Sequence, residues 1–235
     1  RKDKTKTAIM KPYFLQYIGY LQVIYSVDIF VIYDNIQYTK KGWFNRNRLI
    51  KNGKDALFSV SLKKDNDYLN VDERFISNDF DRKKLIAQFK NSYAKAPHIK
   101  EIMPLLEEII IFDEDNLFKY IYNSVTKICE YLEIETKILV SSSIDIDHNL
   151  KAEKKVLAIC EALSATAYIN PIGGIDLYSK DKFKSKGLDL RFIKSDNIEY
   201  KQFNNDFIPW LSIIDVLMFN NKEETKKMIK GYELI

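Results

Sequence analysis

TAIMKPYFLQYIGYLQVIYSVDIFVIY, residues 7–33, decides the fold class. The short apolar run 7–10 predicts a strand, and residues 18–26 carry apolar side chains at helical spacing. Residues 28–33 form a continuous apolar run, which is typical of a strand buried on both faces. A strand, a helix and a second strand in this order predict a βαβ unit with two parallel strands.

The same alternation returns in the last third of the chain, around a predicted helix at residues 151–163. The fold class is therefore α/β, a mainly parallel Rossmann-like sheet with flanking helices. The predicted strands of this sheet are residues 7–10, 28–33, 137–140, 167–169 and 188–193. Outside it, Asn52-Gly53 predicts a turn before a strand at 57–62, and residues 71–76 predict a further strand.

Three helical patterns lie between the two βα regions, at residues 81–93, 98–111 and 116–132. They predict a helical lobe over about residues 80–135, packed on one edge of the sheet. We expect residues 1–235 to form a single domain in which residues 1–6 are a disordered lead-in.

Composition limits the partners. Lys and Arg outnumber Asp and Glu by 37 to 33, a weak bias that permits an anionic ligand and predicts no nucleic-acid partner. No apolar run approaches the roughly 18 residues of a membrane span, and the polar start lacks a signal-peptide core. Cys129 and Cys160 fall inside helical patterns and are expected to be buried free thiols in a reducing compartment. The expected location is cytoplasmic.

The two histidines, His98 and His148, have no metal-ligand spacing, so no metal is expected. His148 lies near Asp145 and Asp147, where it is either a general base or, as is commoner, a solvated surface residue. No GxSxG elbow surrounds residues 141–143, so a hydrolase nucleophile is not expected.

Parallel sheets bind ligands beyond the carboxyl ends of their strands. By that rule four loops qualify, and the densest in chemistry is 34–48, DNIQYTKKGWFNRNR. Its amides suit sugar hydroxyls, its arginines suit phosphate, and its aromatic rings stack on sugars or bases. The alternative is that Asn45 and Asn47 brace the loop's own backbone while Trp43 seals the core.

Asp34 is the candidate catalytic residue, because a buried strand holds it rigidly and its carboxylate can accept a proton. Arg46 is expected to bind phosphate or carboxylate, and one of residues 45–47 to share a cleft with Asp34 and the loop 170–174. Asp215, if it points inward, is expected to pair with Arg46 or Arg48. The expected substrate-binding residues are Lys11, Gln37, Tyr38, Lys40, Trp43, Asn45, Arg46, Asn47, Ser142, Asn170, Gly173 and Gly174.

For several of these residues, a structural role stays open as the alternative to ligand binding. The loop 11–20 is either an anion-binding turn or a loop packed by its own aromatic side chains, since it lacks GxGxxG and P-loop spacing. Ser142 lies in a turn that either caps a helix or binds an oxyanion. The loop 170–174 is either a ligand loop with exposed backbone amides or a simple turn.

Several stretches together resemble the WbqC-like family of bacterial proteins. They include IMKPYFLQYIGY at 9–20 and VDIFVIYDNIQYTKKGWFNRN at 27–47, followed by residues 141–143, 167–174 and 207–217. Two positions depart from the family pattern: Lys11 stands where members tend to have Gln, and Asn35 where a second Asp is frequent. No role is therefore expected here for that amide or for paired carboxylates.

The resemblance implies a role in O-antigen or other surface-polysaccharide biosynthesis, with acyl or aminoacyl transfer, including glycyl transfer, onto a nucleotide-linked amino sugar. The acyl donor and any cofactor stay open. ATP is one option, although Tyr17-Ile18-Gly19-Tyr20, without histidine, stands where nucleotidyltransferases carry an HxGH-like sequence. One alternative is a nucleotide-sugar-dependent glycosyltransferase, although Asp145-Ile146-Asp147 has only the form of a DxD motif. The other is a non-catalytic sugar-binding protein.

Overall fold

The computed structural model describes residues 4–235, and its core is a six-stranded sheet. The strands are β1 (Lys6–Met10), β2 (Ile29–Ile32), β3 (Arg46–Lys51), β4 (Lys54–Ser59), β5 (Lys137–Val140), β6 (Ala167–Pro171), β7 (Asp189–Ser195) and β8 (Tyr232–Leu234). The helices are α1 (Ile18–Tyr25), α2 (Arg82–Ser92), α3 (Ile99–Ile111), α4 (Leu117–Tyr131), α5 (Ala152–Ala162), α6 (Lys180–Ser185), α7 (Ile213–Phe219) and α8 (Lys222–Ile229).

The strand order in the sheet is β5-β2-β1-β6-β7-β8. All neighbouring pairs are parallel except β7 and β8, which are antiparallel. This confirms the mainly parallel Rossmann-like sheet predicted from the sequence. Strands are added on one side of β1 up to β5 and on its other side from β6, so the switch point of the topology lies between β1 and β6.

Both faces of the sheet are covered by apolar clusters, which explains the unbroken apolar run of β2. Phe30 and Ile32 join the larger cluster, whereas Val31 between them joins the smaller cluster with α5 residues. Because successive side chains of a strand point to opposite faces, only a strand covered on both sides selects apolar residues at every position.

A β-hairpin of β3 and β4 extends from the larger cluster beside α2 and α7. Its turn is the predicted Asn52-Gly53, with φ of +51° and +75°. Asn-Gly accommodates two positive φ angles, which match the twist of a two-residue hairpin. The extended continuation of the loop 34–47 through Ile50 thus becomes β3, and the hairpin carries Asn47 and Arg48 toward α7.

Two expectations need correction. The predicted lead-in at residues 1–6 is not seen for Thr5 and Lys6: Thr5 O accepts from Thr166 N and Ala167 N, and Lys6 begins β1. Residues 1–3 lie outside the described part. The predicted strand at 71–76 is instead a 3-10 turn, Val71–Glu73, which an Asn70–Glu73 capping box closes.

Asp215 of α7 is fully buried and binds three neutral donors in place of the expected arginine. Its carboxylate accepts from Tyr93 Oη at 2.7 Å, Tyr200 Oη at 2.6 Å and Gln202 Nε2 at 2.8 Å. Burial raises the pKa of Asp215, and these hydrogen bonds oppose that rise. The network ties α7 to α2 and to the segment that precedes α7.

Cys129 and Cys160 are buried free thiols, as predicted. Burial raises the pKa of each thiol to about 12, so neither is a reactive thiolate at neutral pH. Within residues 4–235, no helix is both long enough and apolar enough to cross a bilayer.

Candidate functional site

Polar side chains gather where β2 and β5 end, next to α5. We call the six residues concerned the strand-end cluster: Asp34, Asn35, Ser141, Ser142, His148 and Lys155. Asp34 and Asn35 follow β2, and Ser141 and Ser142 form the turn that follows β5. Because β2 and β5 are neighbours in parallel register, their carboxyl ends meet at one edge.

Asp34 is buried, and its carboxylate hydrogen-bonds the turn that follows β5. Oδ1 accepts from Ser142 N at 3.0 Å and lies 2.9 Å from Ser141 Oγ, while Oδ2 accepts from Ser142 Oγ. Three of its roughly four acceptor positions are thus directed at the turn. The carboxylate therefore fixes the position of Ser142.

Asn35 and His148 form a chain of hydrogen bonds that determines how the imidazole is protonated. His148 Nδ1 lies 3.0 Å from the donor Asn35 Nδ2, and Nε2 lies 2.9 Å from Ile144 O. These partners place the ring proton on Nε2 and occupy the lone pair of Nδ1. His148 therefore holds Asn35 and the loop 144–148, which is neither of the two roles weighed from the sequence.

Lys155 of α5 is the residue of this cluster that sequence reasoning missed. It is only 8% exposed, its Nζ lies 3.4 Å from Asn35 Oδ1 and 5.2 Å from the ring centroid of Tyr33. Within residues 4–235 it forms no ion pair. Desolvation lowers the pKa of Lys155, and the nearby Asp34 carboxylate opposes that fall.

One sequence signal pointed to Lys155. It stands four residues before the buried Ile159 and beside the buried Val156, so it falls on the apolar face of the helix pattern. A charged residue at such a position is rarely fully buried without a partner. The pattern therefore marked Lys155 for closer attention, although only the fold shows where its amine lies.

Asn170 closes the β6 end of the same edge. Its Nδ2 donates to Tyr168 Oη at 2.9 Å, and a side chain at Gly174 would place its Cβ 2.1 Å from Asn170 Oδ1. Gly173 has open space at the equivalent position. The two glycines of this loop therefore have different reasons for being there, and only Gly174 is required by packing.

We expect Gly174→Ala to lower the free energy of unfolding by about 1–2 kcal/mol, because the new Cβ displaces Asn170 and costs its hydrogen bond to Tyr168. Urea denaturation measures the change. Gly173→Ala is the matched control and should lie within about 0.5 kcal/mol of the unsubstituted protein. Equal losses in both variants would mean that the backbone, and not Asn170, selects glycine here.

Among the described residues, no hydrogen bond or ion pair joins positions 45–47 to Asp34, so the shared cleft stays a prediction. Asn45 accepts from Tyr38 Oη at 2.8 Å and donates to Val60 O at 2.8 Å. Arg46 donates to Gly42 O at 3.0 Å and to Lys41 O at 2.8 Å. Asn47 Oδ1 accepts from Arg48 N at 2.8 Å. Asn45 and Asn47 thus bind backbone groups, as in the alternative weighed for this loop, and Arg46 does so too.

Other residues of this region that were predicted to bind substrate make their contacts outside the strand-end cluster. Gln37 Nε2 donates to Asp67 O at 3.1 Å, and Lys40 Nζ lies 3.8 Å from the Asp67 carboxylate. Tyr38 is buried beneath the Arg74 guanidinium, 4.5 Å from the ring centroid. Lys11 is exposed, and its carbonyl accepts from the hydroxyl of Tyr20.

A concave surface lies between the loop after β1, the hairpin and the segment before α7. It encloses about 280 Å³. We call it the aromatic cleft, and its lining residues are Tyr13, Gln16, Tyr17, Trp43, Asn47, Arg48 and Trp210. Of the residues predicted from the sequence, Trp43 and Asn47 belong to this cleft and not to the strand-end cluster.

A larger cavity of about 740 Å³ lies at the hairpin turn beside the end of α2. Its lining combines asparagine and lysine side chains with Ile50, Phe203 and Phe219, and it includes no residue of the strand-end cluster. Size alone does not make a site, so we give it no role. Within residues 4–235, no group of three or more His, Cys, Asp or Glu side chains is arranged to hold a metal ion.

Comparison with protein-family models decides the relationship: the WbqC-like protein family matches residues 11–227. The chain belongs to the WbqC-like family. Over 218 residues this WbqC-like chain is 28% identical to the "Uncharacterized protein Rv1507c" of Mycobacterium tuberculosis, covering 92% of the chain and 93% of that relative. No solved structure gives a significant match. The matched range includes both the strand-end cluster and the aromatic cleft.

Proposed function

We propose that this WbqC-like chain is a transferase that forms an amide on the amine of a nucleotide-linked amino sugar during surface-polysaccharide biosynthesis. Lys155 is the observation that supports the proposal most strongly. It is an amine buried at the carboxyl ends of parallel strands, where α/β sheets bind ligands, and it has no carboxylate partner among the described residues. An amine buried without a carboxylate in direct contact costs stability, and such groups are concentrated at functional sites.

The chemistry of amide formation needs a proton acceptor of this kind. An amino sugar carries an ammonium group at neutral pH and cannot attack until it loses a proton. Neutral Lys155 takes one ammonium proton, and the freed amine forms a bond to the acyl carbon. The bond between the acyl group and the donor then breaks, and its electron pair leaves with the donor group. The nitrogen releases its second proton to that leaving group as the amide forms. The lowered pKa of Lys155 favours this role, because it enlarges the neutral fraction.

Asp34 takes a different part from the one the sequence suggested. Ser142 donates its backbone N–H and its hydroxyl to the Asp34 carboxylate, and the single proton of the Ser141 hydroxyl is directed at either Asp34 Oδ1 or Asn35 Oδ1. We therefore propose it as a positioning residue, which holds the Ser142 hydroxyl and backbone at the site and offsets the charge of protonated Lys155. Asn35 keeps the Lys155 amine in place through Oδ1.

A direct test is to incubate the protein with a nucleotide-linked amino sugar and a panel of acyl donors. The panel consists of acetyl-coenzyme A, longer acyl-coenzyme A thioesters, and glycine with ATP. Mass spectrometry then looks for an acylated or glycylated sugar. The expected result is amide product with one class of donor. Release of free nucleotide with the amine unmodified would point to sugar transfer, the alternative weighed above, and would overturn the proposal.

A further inference from the structure

The aromatic cleft is preformed by hydrogen bonds between its three walls. Ser212 N donates to Arg48 O at 2.9 Å, Ser212 Oγ donates to Leu15 O at 2.7 Å, and Ile213 N donates to Gln16 O at 2.5 Å. The loop after β1, the hairpin and the segment before α7 are thus held in one arrangement. A rigid cleft spends little free energy on ordering when a ligand binds.

Two donors at the cleft have no partner among residues 4–235. Gln16 is 6% exposed and its Nε2 makes no hydrogen bond, and the buried Nε of Arg48 also makes none. Leaving a buried donor unpaired is unfavourable, and native proteins contain few such groups. Both atoms are shielded from solvent, so a ligand carbonyl reaches the Gln16 amide only after that side chain rotates toward the cleft. Among the described residues, no carboxylate lines the cleft to attract a cation.

The aromatic rings form a V and not a parallel pair. The ring centroids of Tyr17 and Trp210 are 5.4 Å apart, with 58° between the ring planes. Trp210 is 64% exposed at the rim, which is unusual for so large an apolar side chain. A planar base stacks best between parallel rings. Inclined walls instead suit a pyranose, whose faces carry C–H bonds and whose edges carry oxygens.

Backbone strain marks the same place. Trp210 has a φ of +65° and Leu15 a φ of +47°, and bulky residues rarely adopt this left-handed region. Such conformations are unfavourable and concentrate at functional sites. At Trp210 the strained backbone presents the exposed ring to the cleft.

We propose that the aromatic cleft binds the ring of an acylamino sugar. The C–H face of the pyranose packs on Trp210, and the carbonyl of the acylamino group accepts a hydrogen bond from Gln16 Nε2. No hydrogen bond or ion pair joins the cleft to the strand-end cluster within the described residues, so this is a second sugar site. It stands on the cleft alone and is tested by binding, without any transfer reaction.

The chain offers a built-in measurement, because its two tryptophans, Trp43 and Trp210, both line the cleft. We expect N-acetylglucosamine to change the tryptophan fluorescence saturably, and glucosamine, which lacks the carbonyl, to bind about threefold to tenfold more weakly. UDP alone should give no saturable change. Absence of a saturable change with N-acetylglucosamine would overturn the proposal, as would a response to UDP equal to that of UDP-N-acetylglucosamine.

Variants measured by calorimetry locate the binding. Trp210→Ala should weaken N-acetylglucosamine binding about tenfold, and Gln16→Met should weaken it less than that. Gly19→Ala should also weaken it, because the new Cβ would lie 2.3 Å from Tyr17 Cε2 and must displace that ring. Tyr68→Ala, an exposed aromatic away from the cleft, is the control. Unchanged affinity in Trp210→Ala and Gln16→Met would place the sugar elsewhere.

Discussion

Replacing Lys155 by methionine is expected to lower the turnover of amide formation about 10²–10⁴-fold, the usual loss when a positioned proton acceptor is removed. Methionine keeps the length and the apolar stem of lysine, so packing against Val156 and Ile159 should survive. The Michaelis constant for the amino sugar should change little, because the lost interaction acts on the reacting proton. Steady-state kinetics with the donor found in the panel measures both quantities.

Two further substitutions separate the possible roles of the Lys155 amine. Lys155→Arg keeps the positive charge but does not release its proton, so it should be as impaired as Lys155→Met. An active Lys155→Arg would show that only the charge is needed and would remove the proton-acceptor role. Lys154→Met is the matched control on the exposed side of α5, and its turnover should equal that of the unsubstituted protein.

Asp215→Ala is expected to lower the free energy of unfolding by about 3–5 kcal/mol, measured by urea denaturation. The hydroxyls of Tyr93 and Tyr200 lose a carboxylate acceptor in a fully buried position, and the side chain leaves a cavity. Asp206→Ala removes an exposed carboxylate from the segment before α7 and should cost no more than about 0.5 kcal/mol. A small effect of Asp215→Ala would mean that water replaces the carboxylate at little cost.

Asp215 should also make stability depend on pH in a defined direction. Its pKa in the folded protein is raised above the usual 3.8 by burial. The folded state therefore holds the proton more tightly than the unfolded state, and the stability this adds is complete below the unfolded pKa. It is lost as the pH rises from about 4 through the folded pKa. Asp215→Asn has no titrating group at this position, so its free energy of unfolding should not show this decline. Parallel pH profiles of the two proteins would contradict the prediction.

The sequence predicted the elements whose causes are local. The apolar run of β2 and the Asn52-Gly53 turn are each determined by a few consecutive residues, and both predictions are confirmed. The strand-end cluster is different, because Asn35 meets His148 across 113 positions and Lys155 across 120. No local pattern encodes such pairings, so Lys155 was missed.

Loop 34–48 shows the converse limitation. Its composition suggested one rich ligand loop, yet Asn45, Arg46 and Asn47 bind backbone groups, and Trp43 and Asn47 line the aromatic cleft. Polar side chains in a loop have two uses, bracing and binding, and residue type does not separate them. Asp215 is similar, since the hydroxyls of Tyr93, 122 positions away, and Tyr200, 15 positions away, stand in place of the expected arginine.

The central place of β1 has a consequence for how the chain assembles during synthesis. β1 pairs with β2, which follows after about one helix, and with β6, where Lys6 meets Ala167. On the ribosome, β1 and β2 can pair long before β6 emerges, and the other edge of β1 stays open during that interval. An open strand edge invites pairing with another chain, so the growing polypeptide is most exposed to aggregation between the synthesis of β2 and that of β6.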